Sequence, residues 1–110
     1  MKTATTTPRQ RYVRQLQSVI LRHALYRGDV HADEVVAALP VPAGVHPNNV
    51  GNSFSVLEKA GLIKAVGYRR SDRGSRHHGV SRIWRVSDAA GARGYIKALA
   101  TTEDDHDPTY

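Results

Sequence analysis

Residues 61–86 read GLIKAVGYRRSDRGSRHHGVSRIWRV, and this stretch decides the fold. Residues 63–68 and 80–86 are rich in β-branched and aromatic side chains, which is typical of paired strands. Between them lie four arginines and two glycines, Gly74 and Gly79, that suit a turn. From Lys64 to Arg85 there are seven lysines or arginines and one acid, Asp72. Like charges repel at short range, so clustered cations on one hairpin destabilise it unless a partner neutralises them. The pattern therefore predicts a hairpin that binds a polyanion.

The length and charge of the chain limit the classes of protein to which it can belong and the partners that it can bind. Its 110 residues predict one domain with a core that needs no metal or disulfide. The net charge is +6, and a basic body is followed by an acidic end that holds four of the ten acids. Such a body favours nucleic acid or an acidic surface as partner. With no cysteine and no apolar run of membrane length, we expect a cytoplasmic protein, in a host cytoplasm or nucleoid-associated, with no membrane contact.

Helical spacing and breaker residues predict the remaining elements. Helices are expected at about residues 9–27, 32–39, 47–60 and 89–100, with an extended Val30 after the first. Gly28 and Gly61 are expected to end the first and third helices, and Ser87 or Asp88 to cap the fourth. Residues 1–8 are predicted to be a disordered N-terminus, residues 9–100 the domain, and residues 101–110 a disordered acidic tail.

The third helix has an unusual outer face. Val50, Phe54 and Leu57 follow helical spacing and are expected to face the core. At about 100° per residue, the opposite face carries short polar side chains and one lysine. These are Asn48, Asn52, Ser55 and Lys59, flanked by Asn49 and Ser53. Asparagine and serine can hydrogen bond to base edges, so this face is a candidate for reading DNA.

Some residues of this helix have competing explanations. Asn48 and Asn49 are either base contacts or simply residues favoured at a helix start. Asn52 lies mid-helix, where asparagine is a poor helix former, so we favour a base contact there. Gly51 is expected to let the helix approach a neighbouring element closely, with a phosphate contact as the less favoured alternative.

The segment SFSVLEKAGLIKAVGYRR, residues 53–70, resembles the passage from recognition helix to first wing strand in winged-helix DNA-binding domains. The likeness lies in apolar Leu57, Leu62 and Ile63 around Gly61, and the expected order of elements extends it over roughly residues 10–99. It implies an α+β fold: a winged helix-turn-helix with a three-helix core, a β-hairpin wing and a C-terminal helix. The connector at residues 40–46 is longer than the tight turn of many relatives. The run SRHHGVSRIWRV also resembles the wing of small phage and prophage proteins from actinobacteria.

The resemblance implies that the third helix enters the major groove while the wing lies along the backbone or minor groove. On this chain the reading face is then Asn48, Asn52, Ser55 and Lys59. In the hairpin, arginines are expected on phosphate or in a narrow minor groove, and histidines as hydrogen-bond donors to phosphate. The residues concerned are Arg69, Arg70, Arg73, Ser75, Arg76, His77, His78 and Arg82.

Trp84 is either a core residue or a platform on which bases stack. Ile83 and Trp84 cannot both point inward in a regular strand, because successive side chains alternate. We favour the core for Trp84, since a buried tryptophan removes a large apolar area from water.

Other chemistries receive little support. Adjacent His77 and His78 point in opposite directions on a strand, so no metal site is predicted, and no cofactor is expected. No paired acid or nucleophile spacing accompanies the histidines, which argues against an enzyme such as a ribonuclease.

The sequence therefore predicts a non-enzymatic double-stranded DNA-binding protein, either a transcriptional regulator or a phage or mobile-element accessory factor. The alternative is a winged-helix module that binds an acidic partner protein. RNA is less favoured, because single-stranded bases need exposed aromatic pairs that are scarce here. The first and last helices are candidate contacts for a homodimer.

Overall fold

A computed structural model gives the fold of residues 7–70 and 80–106, with no side-chain description for residues 80 and 101–106. The described residues form an α+β structure of four helices and one antiparallel hairpin. In chain order the elements are α1 (Pro8–Arg27), α2 (Ala32–Ala38), α3 (Asn48–Lys59), β1 (Ile63–Arg70), β2 (Val80–Val86) and α4 (Ala89–His106). The order of elements is the one predicted from the sequence.

The ends of α1 are set by capping residues. Thr7 Oγ1 accepts a hydrogen bond from the Gln10 backbone N–H at 3.0 Å, and the Gln10 side chain accepts one from the Thr7 backbone N–H at 3.0 Å. At the other end Gly28 has a φ of 91°, a left-handed conformation that favours glycine. Its N–H donates to the Ala24 carbonyl at 3.1 Å. The predicted stop at Gly28 is confirmed.

The core lies between α1, α3 and the base of the hairpin. Leu16 of α1 and Leu57 of α3 are fully buried. Trp84 of β2 is 6 % exposed, and its ring stacks on Phe54 with the ring centroids 5.4 Å apart. The prediction that Trp84 belongs to the core is confirmed, and Ile83 beside it is half-buried.

Val30 ties the α1–α2 connection to the hairpin. Its N–H donates to the Trp84 carbonyl and its carbonyl accepts from the Trp84 N–H, both at 2.9 Å. This bridge satisfies backbone groups that would otherwise be buried without partners. It also confirms the extended conformation expected for Val30.

β1 contains a bulge at Val66. Ala65 pairs with Trp84. Tyr68, three residues later, pairs with Arg82, which lies only two residues before Trp84. Because directly opposed residues in antiparallel strands share a face, the extra residue places Tyr68 on the face that carries Trp84.

Asp88 caps the start of α4, and its position leaves room only for glycine at residue 91. Asp88 Oδ1 accepts a hydrogen bond from the Gly91 N–H at 2.9 Å. A Cβ at Gly91 would lie 2.8 Å from Asp88 Cγ and 3.0 Å from Leu62 Cδ2, so a larger residue would displace the cap. Of the two predicted caps, Asp88 serves α4, whereas Ser87 Oγ donates to the Gly61 carbonyl at 2.8 Å.

The predicted end of α4 near Ala100 is wrong, because the helix continues to His106 and includes residues 101–106 of the expected tail. Those residues contain no glycine or proline, and the first helix breaker is Pro108. Residues 1–6 and 107–110 of the expected disordered ends lie outside the described residues.

Candidate nucleic-acid interface

Four polar side chains of α3 share one exposed face. They are Asn48, Asn52, Ser55 and Lys59. The opposite side of the helix is buried, as the apolar spacing predicts. Within the described residues, the side chains of Asn52 and Ser55 make no hydrogen bond. Their donors and acceptors are therefore available to an external partner.

Asn49 and Ser53, predicted to flank this face and contact DNA, are instead 5 % and 1 % exposed. Asn49 Nδ2 donates to the His46 carbonyl at 2.8 Å, and its Oδ1 accepts from Arg9 Nε of α1 at 3.2 Å. Ser53 Oγ donates to the Asn49 carbonyl at 2.8 Å. The prediction that these two side chains contact DNA is therefore not supported, because α1 covers this flank and both polar groups bond within the protein. The bond from Asn49 to His46 agrees with the alternative that Asn49 serves the start of the helix.

His46 caps the start of α3. Its Nδ1 accepts a hydrogen bond from the Asn48 backbone N–H at 3.0 Å, so the ring proton lies on Nε2 in this arrangement. Pro47 occupies the cap position and makes no side-chain bond there. The amide of Asn48 is therefore not needed as a cap, and it lies one turn before Asn52 on the exposed face.

The stem of the hairpin presents three exposed arginines, Arg70, Arg82 and Arg85, of which Arg85 donates a hydrogen bond from Nε to the Gly28 carbonyl at 3.0 Å. The guanidinium carbon of Arg82 lies 5.8 Å from the centroid of the Trp84 ring, a cation–π contact that restrains its orientation. The other predicted hairpin contacts, Arg73, Ser75, Arg76, His77 and His78, lie outside the described residues.

Arg69 differs from its neighbours because it connects the hairpin to α2. It is half-buried, and its Nη1 contacts Nε2 of His31, a residue that is 9 % exposed. Glu34 Oε1 lies 3.4 Å from the same His31 nitrogen, while Glu34 Oε2 pairs with Arg27 at 3.1 Å. Arg69 is thus engaged within the protein and is a weaker phosphate candidate than Arg70 or Arg82.

The pKa of His31 reflects this position. Burial is the largest effect and lowers the pKa, Glu34 opposes it, and Arg69 lowers it further. A neutral imidazole lets Nε2 accept a hydrogen bond from Arg69, whereas a protonated ring would bring two cations together. The link between the hairpin and α2 therefore depends on an uncharged histidine.

An open groove separates α3 from the sheet. Its floor is the buried pair Phe54 and Trp84. Exposed residues from both elements border it: Gly51 and Ser55 of α3, and Tyr68 and Arg82 of the hairpin. Ser55 of the polar face of α3 and Arg82 of the hairpin thus border one opening.

Two exposed residues at this surface, Val56 and Tyr68, were not among the predicted contacts. Val56 is 46 % exposed, and it falls outside the spacing of the apolar stripe of α3, which was a usable signal. Tyr68 is 68 % exposed, and its direction depends on the bulge. Gly67 in the strand was the one indication of that bulge, because a strand glycine often marks one.

Gly51 has no packing role inside the described structure. A Cβ built at this position meets nothing within 4 Å, so the expectation that Gly51 allows a close helix contact is wrong. A glycine inside a helix costs about 1 kcal/mol relative to alanine. No internal contact offsets that cost at Gly51.

Comparison with known proteins gives no family assignment, since no family model and no curated protein matches the sequence. None of the helices within residues 7–70 and 80–106 is long and apolar enough to cross a membrane. Over those same residues, no group of three histidines or acids is placed to hold a metal ion.

Proposed function

We propose that this chain is a winged-helix protein that binds double-stranded DNA, with α3 as the recognition helix and the β1–β2 hairpin as the wing. The observation that carries the proposal is the shared opening, which Ser55 of the polar face of α3 and Arg82 of the hairpin both border. The major groove admits a helix, and the phosphates beside it attract nearby cations. A single duplex can therefore engage both elements.

The exposed face of α3 supplies sequence preference in this proposal. The Asn52 amide can pair with the N6 and N7 edge of adenine, and Asn48 presents a second amide one turn earlier. The exposed Val56 can contact a thymine methyl group from the same helix. Lys59 lies farther along the face, where it can reach a phosphate or a guanine.

The hairpin supplies affinity and orientation. Arg70 and Arg82 are exposed on its stem, and the segment beyond them adds Arg73 and Arg76. Contacts to phosphate carry no sequence information directly but fix the position of a protein on the duplex. If five to seven phosphates are neutralised, log affinity should fall against log salt with a slope of about −4.5 to −6.

Such a protein acts by occupying a site and needs no catalytic group. A transcriptional regulator or a phage or mobile-element accessory factor in the cytoplasm works in this way. Two copies joined through α1 or α4 would read two half-sites with a fixed spacing.

The test compares two duplexes, one selected from a random pool and one of mixed sequence, titrated by fluorescence anisotropy at several salt concentrations. Asn52→Ala should weaken the selected duplex and leave the mixed one nearly unchanged. Arg70→Gln should weaken both and make the salt slope shallower by about 0.9 for each phosphate that it no longer neutralises. Arg93→Gln, at an exposed position on α4, is the charge-matched control. The proposal fails if the wild type binds no duplex at low salt, or if Arg93→Gln has the same effect as Arg70→Gln.

The second candidate function is binding of an acidic partner protein. The exposure of Val56 and Tyr68 favours it, because aromatic and apolar side chains are enriched at the centres of protein interfaces. A single stoichiometric partner recovered after nuclease treatment, together with no duplex binding, would support this function. Loss of that partner on a Val56→Ser substitution would place the contact on α3.

A further inference from the structure

The groove between α3 and the sheet has the chemistry of an anion site with an apolar base. Among the described residues that line it, Arg82 is the charged one, and Ser55, Tyr68 and Ser81 contribute hydroxyl groups. No carboxylate borders it within that set. The floor is the stacked pair Phe54 and Trp84.

A cation–π contact favours one orientation of Arg82 before any ligand arrives. Its guanidinium carbon lies 5.8 Å from the centroid of the Trp84 ring, and Trp84 is itself fixed by the stack on Phe54 and by two backbone hydrogen bonds to Val30. A restrained guanidinium loses less conformational entropy on binding than a free one. Its planar donors also match the oxygens of a phosphate.

The bulge at Val66 brings a second hydrogen-bonding group to the same side. Without the extra residue, Tyr68 would point to the opposite face of the sheet from Trp84. With it, Tyr68 borders the groove across from Ser55, and its side chain remains 68 % exposed. A bulge that re-aims a side chain commonly accompanies a binding site.

Gly51 leaves room on the helical side of the groove. It lies one turn before Ser55, in the middle of α3, where the helix alone would favour alanine. No described atom occupies the space that its missing side chain leaves, so an external group has room to approach the helix backbone on this side of the groove.

We infer that this groove binds one phosphodiester unit of the DNA backbone, with its deoxyribose over the Phe54–Trp84 floor and its phosphate against Arg82. The inference rests on the proposed function and adds a defined contact to it. Ser55 and Tyr68 donate hydrogen bonds to the phosphate oxygens, and Gly51 admits the strand close to α3. The contact sets how deeply the helix enters the major groove and is the same for every base sequence.

The first experiment substitutes a methyl group at Gly51 and, as the matched control, at Gly94. Both are exposed helical glycines whose added Cβ meets nothing within 4 Å. Gly51→Ala and Gly94→Ala should both raise the Tm, because alanine favours the helix. Gly51→Ala should nevertheless weaken a short mixed-sequence duplex by about tenfold, a change that corresponds to about 1.4 kcal/mol. Gly94→Ala should bind as the wild type does.

The second experiment pairs Arg82→Gln with duplexes that carry a neutral methylphosphonate at one position at a time, in the selected sequence. The wild type should bind more weakly whenever a contacted phosphate is neutralised. Arg82→Gln should bind every duplex more weakly than the wild type does. At the one phosphate that Arg82 contacts, the methylphosphonate should weaken the binding of Arg82→Gln no further. The same methylphosphonate should still weaken the binding of Arg70→Gln.

The two proposals fail in different ways. A wild type that binds no duplex at low salt overturns the proposed function. A wild type that binds duplex while Gly51→Ala binds equally well, or while Arg82→Gln keeps the full set of methylphosphonate effects, overturns the phosphodiester site and leaves DNA binding in place.

Discussion

The two flanks of α3 carry the same residue types and use them in opposite ways. Asn49 and Ser53 lie on the flank toward α1, where both are buried and hydrogen bonded within the protein. Asn52 and Ser55 lie on the other side, where both are exposed and Ser55 borders the groove. What differs is the element packed alongside: α1 covers one flank, and the hairpin leaves the other open. Residue type alone therefore does not identify a reading face, and the neighbouring element decides.

The buried side of α3 should show the largest response to substitution. Phe54→Ala removes a ring that is 3 % exposed and stacks on Trp84, so we expect a decrease of about 3–5 kcal/mol in the free energy of unfolding. Val56→Ala on the exposed side should change it by no more than about 0.5 kcal/mol. Urea denaturation followed by circular dichroism measures both. Equal decreases would mean that the inner and outer faces are misassigned.

The two asparagines provide the sharpest contrast between the flanks. Asn49→Ala leaves Arg9 Nε and the His46 carbonyl without their partner, so we expect a decrease of about 1–3 kcal/mol in stability. Affinity of the folded fraction for DNA should not change. Asn52→Ala should raise stability by up to about 0.7 kcal/mol, because alanine is the better helix former. It should cost about 1–3 kcal/mol in binding to the preferred duplex.

Unfolding and anisotropy titrations on the same two preparations separate these effects. If Asn49→Ala weakened DNA binding with stability intact, the buried flank would belong to the interface after all. If Asn52→Ala lowered stability, its amide would have a structural partner.

The smallest expected effect is on the pH dependence of stability, and it arises at the contact between Arg69 of the hairpin and His31 at the start of α2. Burial lowers the pKa of His31 below its unfolded value of about 6.5. The unfolded chain therefore binds a proton more readily than the folded protein does, and stability is complete above that value. It falls as the pH drops toward the lowered pKa of the folded state.

Urea midpoints measured between about pH 7.5 and pH 5 should decline more steeply in the wild type than in His31→Gln, which has no ring to titrate. The remaining histidines are common to both proteins and cancel in the comparison. Parallel declines would show that His31 does not couple the hairpin to α2 through its charge.

Most of the fold was predictable because local signals agree with the tertiary structure. Gly28 marks the end of α1, Val30 is extended, and Trp84 enters the core as its size suggests. The extension of α4 to His106 was not predictable from composition, because acidic residues favour disorder, although residues 101–106 contain no glycine or proline. The bulge at Val66 also escaped prediction, since a register shift depends on the partner strand.

The candidate site was predictable only in part. Helical periodicity placed Asn52 and Ser55 outward correctly, because it needs only the position of the apolar stripe. It could not show that α1 covers Asn49, which depends on a contact forty residues away in the chain. Nor could it show that Arg69 turns to His31, since that pairing also depends on the assembled fold. The DNA contacts themselves stay predictions.

The position of Trp84 has a practical consequence. It is the only tryptophan of the chain, and it forms the floor of the groove between α3 and the sheet. Its emission therefore comes from a single known place, 5.8 Å from the guanidinium carbon of Arg82. A strand that enters the groove and covers this floor would change the surroundings of the ring, and with them that emission. The protein thus contains its own optical probe, with which occupancy of the groove can be followed without a label on either molecule.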